Sequence, residues 1–118
     1  MSFVEAIENA MLELIDGSGA FPVTHLSMHV GDPGTTGANE VAGGSYVRQA
    51  ITWAPASGGQ KLINEIPVFN IPGGVTISHF GLWNAATGGA FRGGEELDAP
   101  QIFASPGTYT FDSLTAIA

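Results

Sequence analysis

The 118-residue chain has no cysteine and only three basic residues, Arg48, Lys61 and Arg92. Without thiols it has no disulfide framework, no cysteine-type zinc site and no thiol nucleophile. Eleven acids outweigh the three cations and leave a net charge of -8. Binding to nucleic acid or to an anionic membrane surface draws on clustered Lys and Arg, and the sequence has no such cluster. Charged residues of both signs together make up 12%, about half the ~25% of an ordinary soluble domain. No apolar run approaches the ~20 residues of a membrane-spanning helix. The first residues carry Glu5, Glu8 and Glu13 where a secretory leader would be basic and then apolar.

Glycine is plentiful, with 17 residues, and there are 7 prolines. The length fits a single domain over residues 1–118, which buries roughly two-thirds of its unfolded surface. A glycine-rich chain with so little charge is either a β protein with a neutral surface or one with much of its surface set against other chains.

Residues 75–89, VTISHFGLWNAATGG, organise the rest. Val75, Ile77, His79, Gly81 and Trp83 fall on one face of an extended chain, and Thr76, Ser78, Phe80 and Leu82 on the other. Both faces are largely apolar, which predicts a central strand. Asn84 to Gly89 supplies a glycine turn. Six further strands are predicted, at 23–30, 45–53, 62–71, 90–92, 101–104 and 108–117, separated by Gly and Pro. The first alternates, with Leu26, Met28 and Val30 against Val23, His25, Ser27 and His29, as in a half-buried strand. Pro67 marks an edge or bulge, and residues 93–100 read as irregular. One helix is predicted over residues 2–16. Ser2 and Glu5 form a capping box. Phe3, Val4, Ile7, Ala10, Met11, Leu14 and Ile15 share an arc, opposite Glu5, Asn9, Glu13 and Asp16. Leu12 lies among the acids and is a candidate contact with another subunit. The expected fold is mainly β: an antiparallel sandwich of about seven strands, immunoglobulin-like, behind an N-terminal amphipathic helix.

The chemistry-bearing residues fall short of known site patterns. His25 and His29 on a strand stand about 13 Å apart at ~3.3 Å per residue. That is too far to share one ion with ligand distances of ~2.1 Å, so surface or interface histidines are expected there. His79 reads as a core histidine. The loop at 31–44, GDPGTTGANEVAGG, lacks the Gly-Lys-Ser/Thr ending of a phosphate loop and the alternating oxygens of an EF-hand. Asp32 and Glu40 could join only in a carbonyl-rich calcium site, and an Asp32 turn is the plainer reading. Glu95, Glu96 and Asp98 form a solvated acidic cluster without a cleft signal. No nucleophile elbow or serine triad is evident. The chain is therefore read as non-enzymatic, with no cofactor and no metal. A long loop such as 31–44 is usually functional.

An ordered series of short motifs carries a resemblance: HVGDPG at 29–34, NEV at 39–41, GGSY at 43–46, RQ at 48–49, ITW at 51–53, HFGLW at 79–83, AATGG at 85–89 and GTYT at 107–110. Together they resemble a family of small virion proteins of tailed bacteriophages, labelled tail-fibre or minor structural proteins. The resemblance covers nearly the whole chain after residue 20. Asn84, where the pattern often has Asp, and the stretch 93–101 depart from it. It implies a β-sandwich without catalytic residues, located in the virion and assembled in the host cytoplasm. It also implies a role as a head decoration or minor capsid protein, or as a tail collar or fibre component. The implied partners are other virion proteins and further copies of the chain in a homo-oligomer. Leu12, Asp32, Glu40, Tyr46 and Arg48 are the candidate interface residues. A rival reading is a carbohydrate-binding host-attachment module using Trp53, Trp83 and Tyr46, though both tryptophans lie in apolar alternations that suit a core.

Overall fold

The computed structural model describes residues 4–112 and 114–117. Its elements are helix α1 (Glu5–Leu12), a 3-10 turn (Glu13–Ile15), and strands β1 (His25–His29), β2 (Gln49–Ala50), β3 (Gln60–Leu62), β4 (Val68–Ile71), β5 (Val75–Trp83), β6 (Phe91–Phe103), β7 (Gly107–Thr110) and β8 (Thr115–Ile117). The fold is mainly β, antiparallel throughout, with one short N-terminal helix, as the sequence predicts. The main sheet has the order β2-β1-β5-β6, and two ribbons, β3-β8 and β4-β7, accompany it. The opposing layer of the sandwich is thus two ribbons rather than one continuous sheet.

β5 has the predicted bounds and the predicted central place, hydrogen-bonded to β1 on one side and β6 on the other. Its register with β1 sorts the side chains. Leu26 faces Leu82 and Met28 faces Phe80, while Ser27 faces Gly81 and His25 faces Trp83. Paired residues in an antiparallel ladder share a face. Leu26, Met28 and Phe80 therefore point into the main core, with Phe69 and Ile71 of β4, Phe111, Ile51 and Trp53. Phe80 and Phe111 meet edge to face at 5.2 Å.

The opposite face, with Ser27, His29, Gly81 and Trp83, was expected to be open on β1. It is covered, and β1 is buried on both sides. The 31–44 loop folds back over it, held by Val30 N–H to the Asn39 carbonyl and Val41 N–H to the Met28 carbonyl. β6 also differs from expectation. Residues 91–103 form one long strand in place of two short ones around an irregular stretch. Its register slips opposite Ser78, between Ile77–Gln101 and His79–Glu96. That bulge, on an outer edge with no partner strand among the described residues, accommodates Asp98 and Pro100.

The helix begins with Val4 as its N-cap and no side-chain cap. The predicted capping residue Ser2, with Phe3, lies outside the described residues. The orientation of α1 reverses the expectation. Its polar residues face the body, and Val4, Ile7, Met11 and Leu14 are exposed. Leu12, expected on an exposed face, is buried. The cause is Lys61 on β3, whose side chain is 0% exposed. A buried ammonium requires partners, and Glu13, Asp16 and the Ala54 carbonyl supply them. Glu5 and Asn9 accept from the Gly58 and Gly59 N–H groups. Among the described residues, no helix is long and apolar enough to cross a membrane.

Candidate functional site

Four of the singled-out residues come from the loop and the stretch after it, and three of them meet. Arg48, nearly buried, lays its guanidinium fork on Glu40, with Nε to Oε2 at 3.0 Å and Nη2 to Oε1 at 2.9 Å. Its remaining Nη1 donates to the Ala85 carbonyl at 3.0 Å and the Gly88 carbonyl at 2.8 Å. Its Cζ lies over the Trp83 ring, 3.6 Å from the centroid. A planar guanidinium serves these roles together because its donors form a rigid fork and its face stacks on aromatics. Tyr46 donates to Glu40 Oε2 at 2.8 Å and accepts from the Met28 N–H at 3.0 Å. Asp32 stands apart, its Oδ1 accepting from the Gly34 N–H at 2.8 Å in an exposed turn. Leu12 lies elsewhere, buried at the C-terminal end of α1.

Behind Trp83 the network continues. Trp83 Nε1 donates to Ser27 Oγ at 2.8 Å, and Ser27 Oγ lies 2.7 Å from His29 Nε2. His29 Nδ1 lies 2.7 Å from the Ala38 carbonyl. A carbonyl only accepts, so Nδ1 carries the proton and Nε2 accepts from the serine hydroxyl. Phe91 packs edge-on against Trp83 at 5.1 Å and against His29 at 6.3 Å. Two glycines make room. A Cβ at Gly81 would come within 2.6 Å of both His29 Nε2 and Ser27 Oγ, and one at Gly37 would overlap the Trp83 ring. His29 was expected at the surface or an interface; it is fully buried. The Ser27–His29 pair was overlooked, although residues two apart on a strand share a face. His79, read as a core histidine, is half-buried and bonds Ser78 Oγ at 2.7 Å.

The electrostatics follow from burial and pairing. Burial pushes the Glu40 carboxyl up, but hydrogen bonds from Arg48 and Tyr46 outweigh it and hold its pKa below the ordinary value. Burial raises the Tyr46 phenol, and the Glu40 charge adds to this. Burial lowers His29 in spite of its Ala38 bond, so the ring stays neutral. Burial, then the Arg48 charge, lowers His25.

The arrangement stitches three stretches together: the 31–44 loop, the chain around Tyr46 and Arg48, and the turn after β5. Asn84 Oδ1 accepts from the Ala90 N–H at 2.7 Å, a role an Asp carboxylate also fills. Among the described residues, no group of three His, Asp or Glu converges as metal ligands. None of their buried side-chain nitrogens or oxygens lacks a partner. Both tryptophans are 7% exposed, and Trp53 Nε1 donates to the Val23 carbonyl at 2.9 Å. Neither offers a free ring face to a sugar. Glu95, Glu96 and Asp98 rim an open groove of about 450 Å³ with Tyr109, Phe111 and Asp112.

No curated protein matches the chain. A family model, Podophage GP4 fiber I protein gp80, matches residues 2–116. That span contains every motif of the resemblance, and six of them contribute to the network: His29, Glu40, Tyr46, Arg48, Trp83, and Ala85 with Gly88. The chain therefore belongs to the Podophage GP4 fiber I protein gp80 family and is a phage fibre structural protein, a component of the virion.

Proposed function

We propose that this protein is a non-enzymatic subunit of the fibre or collar at the tail of the particle, rather than a decoration of the head. The observation that carries this reading is the fibre-family match over residues 2–116. The structure supports the non-enzymatic part through the state of its strongest polar groups. Arg48, Glu40, Tyr46, Ser27 and His29 are all engaged with one another or with backbone. A catalytic group needs access to a substrate proton or carbonyl, and Ser27 and His29 are fully buried.

In this reading residues 1–118 act as one unit, assembled in the host cytoplasm onto other virion proteins and further copies of itself. Asp32, exposed near the start of the 31–44 loop, remains a candidate contact. Glu40, Tyr46 and Arg48 serve contacts indirectly, by holding that loop in shape. The test uses particles assembled without this protein. Purified chain added back should bind them saturably, and labelled chain should appear at the tail in electron micrographs. Failure to bind would contradict the reading, and label on the head would favour decoration.

A further inference from the structure

The groove beside β6 is walled by two different layers of the fold. β6 ends the main sheet and β7 belongs to a separate ribbon, and among the described residues no ladder joins them. The opening between them has a volume of about 450 Å³. Its floor is aromatic. Phe111 packs edge-on against Phe80 at 5.2 Å and against Tyr109 at 6.5 Å. Phe80 and Phe111 are buried, and Tyr109 is half-buried where it lines the groove. The rim is acidic, with Glu95, Glu96 and Asp98 from β6 and Asp112 from the chain after β7, all four exposed.

Charge selects the occupant. The chain has three Lys and Arg residues in all, and none serves this rim. Lys61 is buried against Glu13 and Asp16, Arg48 is held by Glu40, and Arg92 lies over Phe21. Among the described residues, the four rim carboxylates form no ion pair. Their charge is felt at the floor: burial first, then Asp112 and Asp98, push the Tyr109 phenol up. An anionic ligand is repelled here, and a second copy of the chain, itself at -8, meets the same repulsion. A guanidinium or ammonium suits both parts of the groove, since it pairs with carboxylates and sits on an aromatic face. The acids are spread over residues 95–98 and 112, so several cations on one segment meet them where a single cation could not.

We propose that the groove between β6 and β7 is the docking site for a segment of another virion protein that carries several Lys or Arg side chains. The inference rests on the reading of the protein as a virion component bound to other virion proteins, and it names the chemistry of the partner and the surface that receives it. Complementary charge fixes register and speeds encounter. The aromatic floor adds contact that salt does not screen, whereas the exposed rim is screened.

An NMR titration of the purified chain with an end-blocked hexa-arginine peptide tests this. The largest amide shifts should fall at residues 95–101 and 109–112, and a hexa-glutamine peptide should produce none there. Asp98 and Asp112 are exposed, so Asp98→Asn, Asp112→Asn leaves the core intact. It should weaken the arginine peptide roughly tenfold, the order of two exposed ion pairs. The charge-matched control Glu5→Gln, Glu8→Gln, on α1, should bind as the wild type does. Shifts scattered over the other acids, or equal weakening by both double variants, would show attraction to net charge alone and overturn the groove. Calcium or maltohexaose shifting the groove amides where the arginine peptide does not would overturn the basic partner. The peptide titration uses no particles, so its failure strikes the groove alone. A wild type that binds the peptide in the groove yet fails to bind particles lacking this protein would refute the fibre reading instead.

Discussion

Arg48 joins the loop at Glu40 to the turn at Ala85 and Gly88 while covering the face of Trp83. Removing one partner of a buried ion pair costs about 3–5 kcal/mol, because the other charge is left uncompensated. Arg48→Ala should lower the unfolding free energy by that order in urea titrations. Arg48→Lys should recover little, since a point charge cannot fork a carboxylate and hold two carbonyls. A change below about 1 kcal/mol for Arg48→Ala would show that the network contributes little to stability. Trp83→Ala removes a buried aromatic and should cost about 3–5 kcal/mol; an unchanged melting temperature would refute its placement. The buried His29 gives a pH signature. Its folded pKa is depressed, so its contribution is full above the ordinary value of 6.5 and declines as pH falls below it, when the unfolded chain takes up the proton first. His25 adds in the same direction. Stability should begin to fall below about pH 6.5, and His29→Gln should flatten the part of the curve above the carboxylate range. A curve flat from pH 7 to 5 in the wild type would contradict the buried neutral imidazole.

At the scale of elements, α1 is fastened by polar bonds to the chain around Lys61, and Leu12 supplies its buried apolar contact. Lys61→Met should therefore loosen the helix without loosening the sheet. Amide exchange should quicken over residues 5–15 while β1 and β5 keep their protection; equal loss in both would contradict an independently docked helix. Glu13 and Asp16 are held below their ordinary values, first by Lys61 and then by the Ala56 and Ser18 bonds respectively. Groups with depressed carboxyl pKa values stabilise the fold above the carboxylate range and lose that effect as pH falls through their folded values. Acid should thus release α1 only below the pH range in which free carboxyls titrate. β5 was legible because its determinants are local: alternation and the glycine turn at 84–89. The helix was legible as a helix, but its orientation was not, because Lys61 stands 48 residues beyond Glu13 in the chain. Nor does alternation in β1 reveal that the 31–44 loop returns to cover its second face. β6 was read in two pieces because Gly93, Asp98 and Pro100 are poor strand residues, tolerated at a bulged edge.

At the scale of the whole molecule, Glu40, Tyr46 and Arg48, which suggested a contact surface, turn inward, while Val4, Ile7, Met11 and Leu14, which suggested a core face, are exposed. Glu40, Tyr46 and Arg48, named from the sequence as interface candidates, instead bond to one another beside Trp83. Sequence alone could not separate building a surface from being one. The internal network fixes the sheet, loop and turn, and the outer surfaces are left to meet neighbours. The most direct measurement is a density map of the intact particle. The account predicts this chain in the fibre or collar at the tail, with the Arg48–Glu40 pair closed. A copy placed inside the head, or a ligand seated between Arg48 and Glu40 with the pair broken, would contradict it.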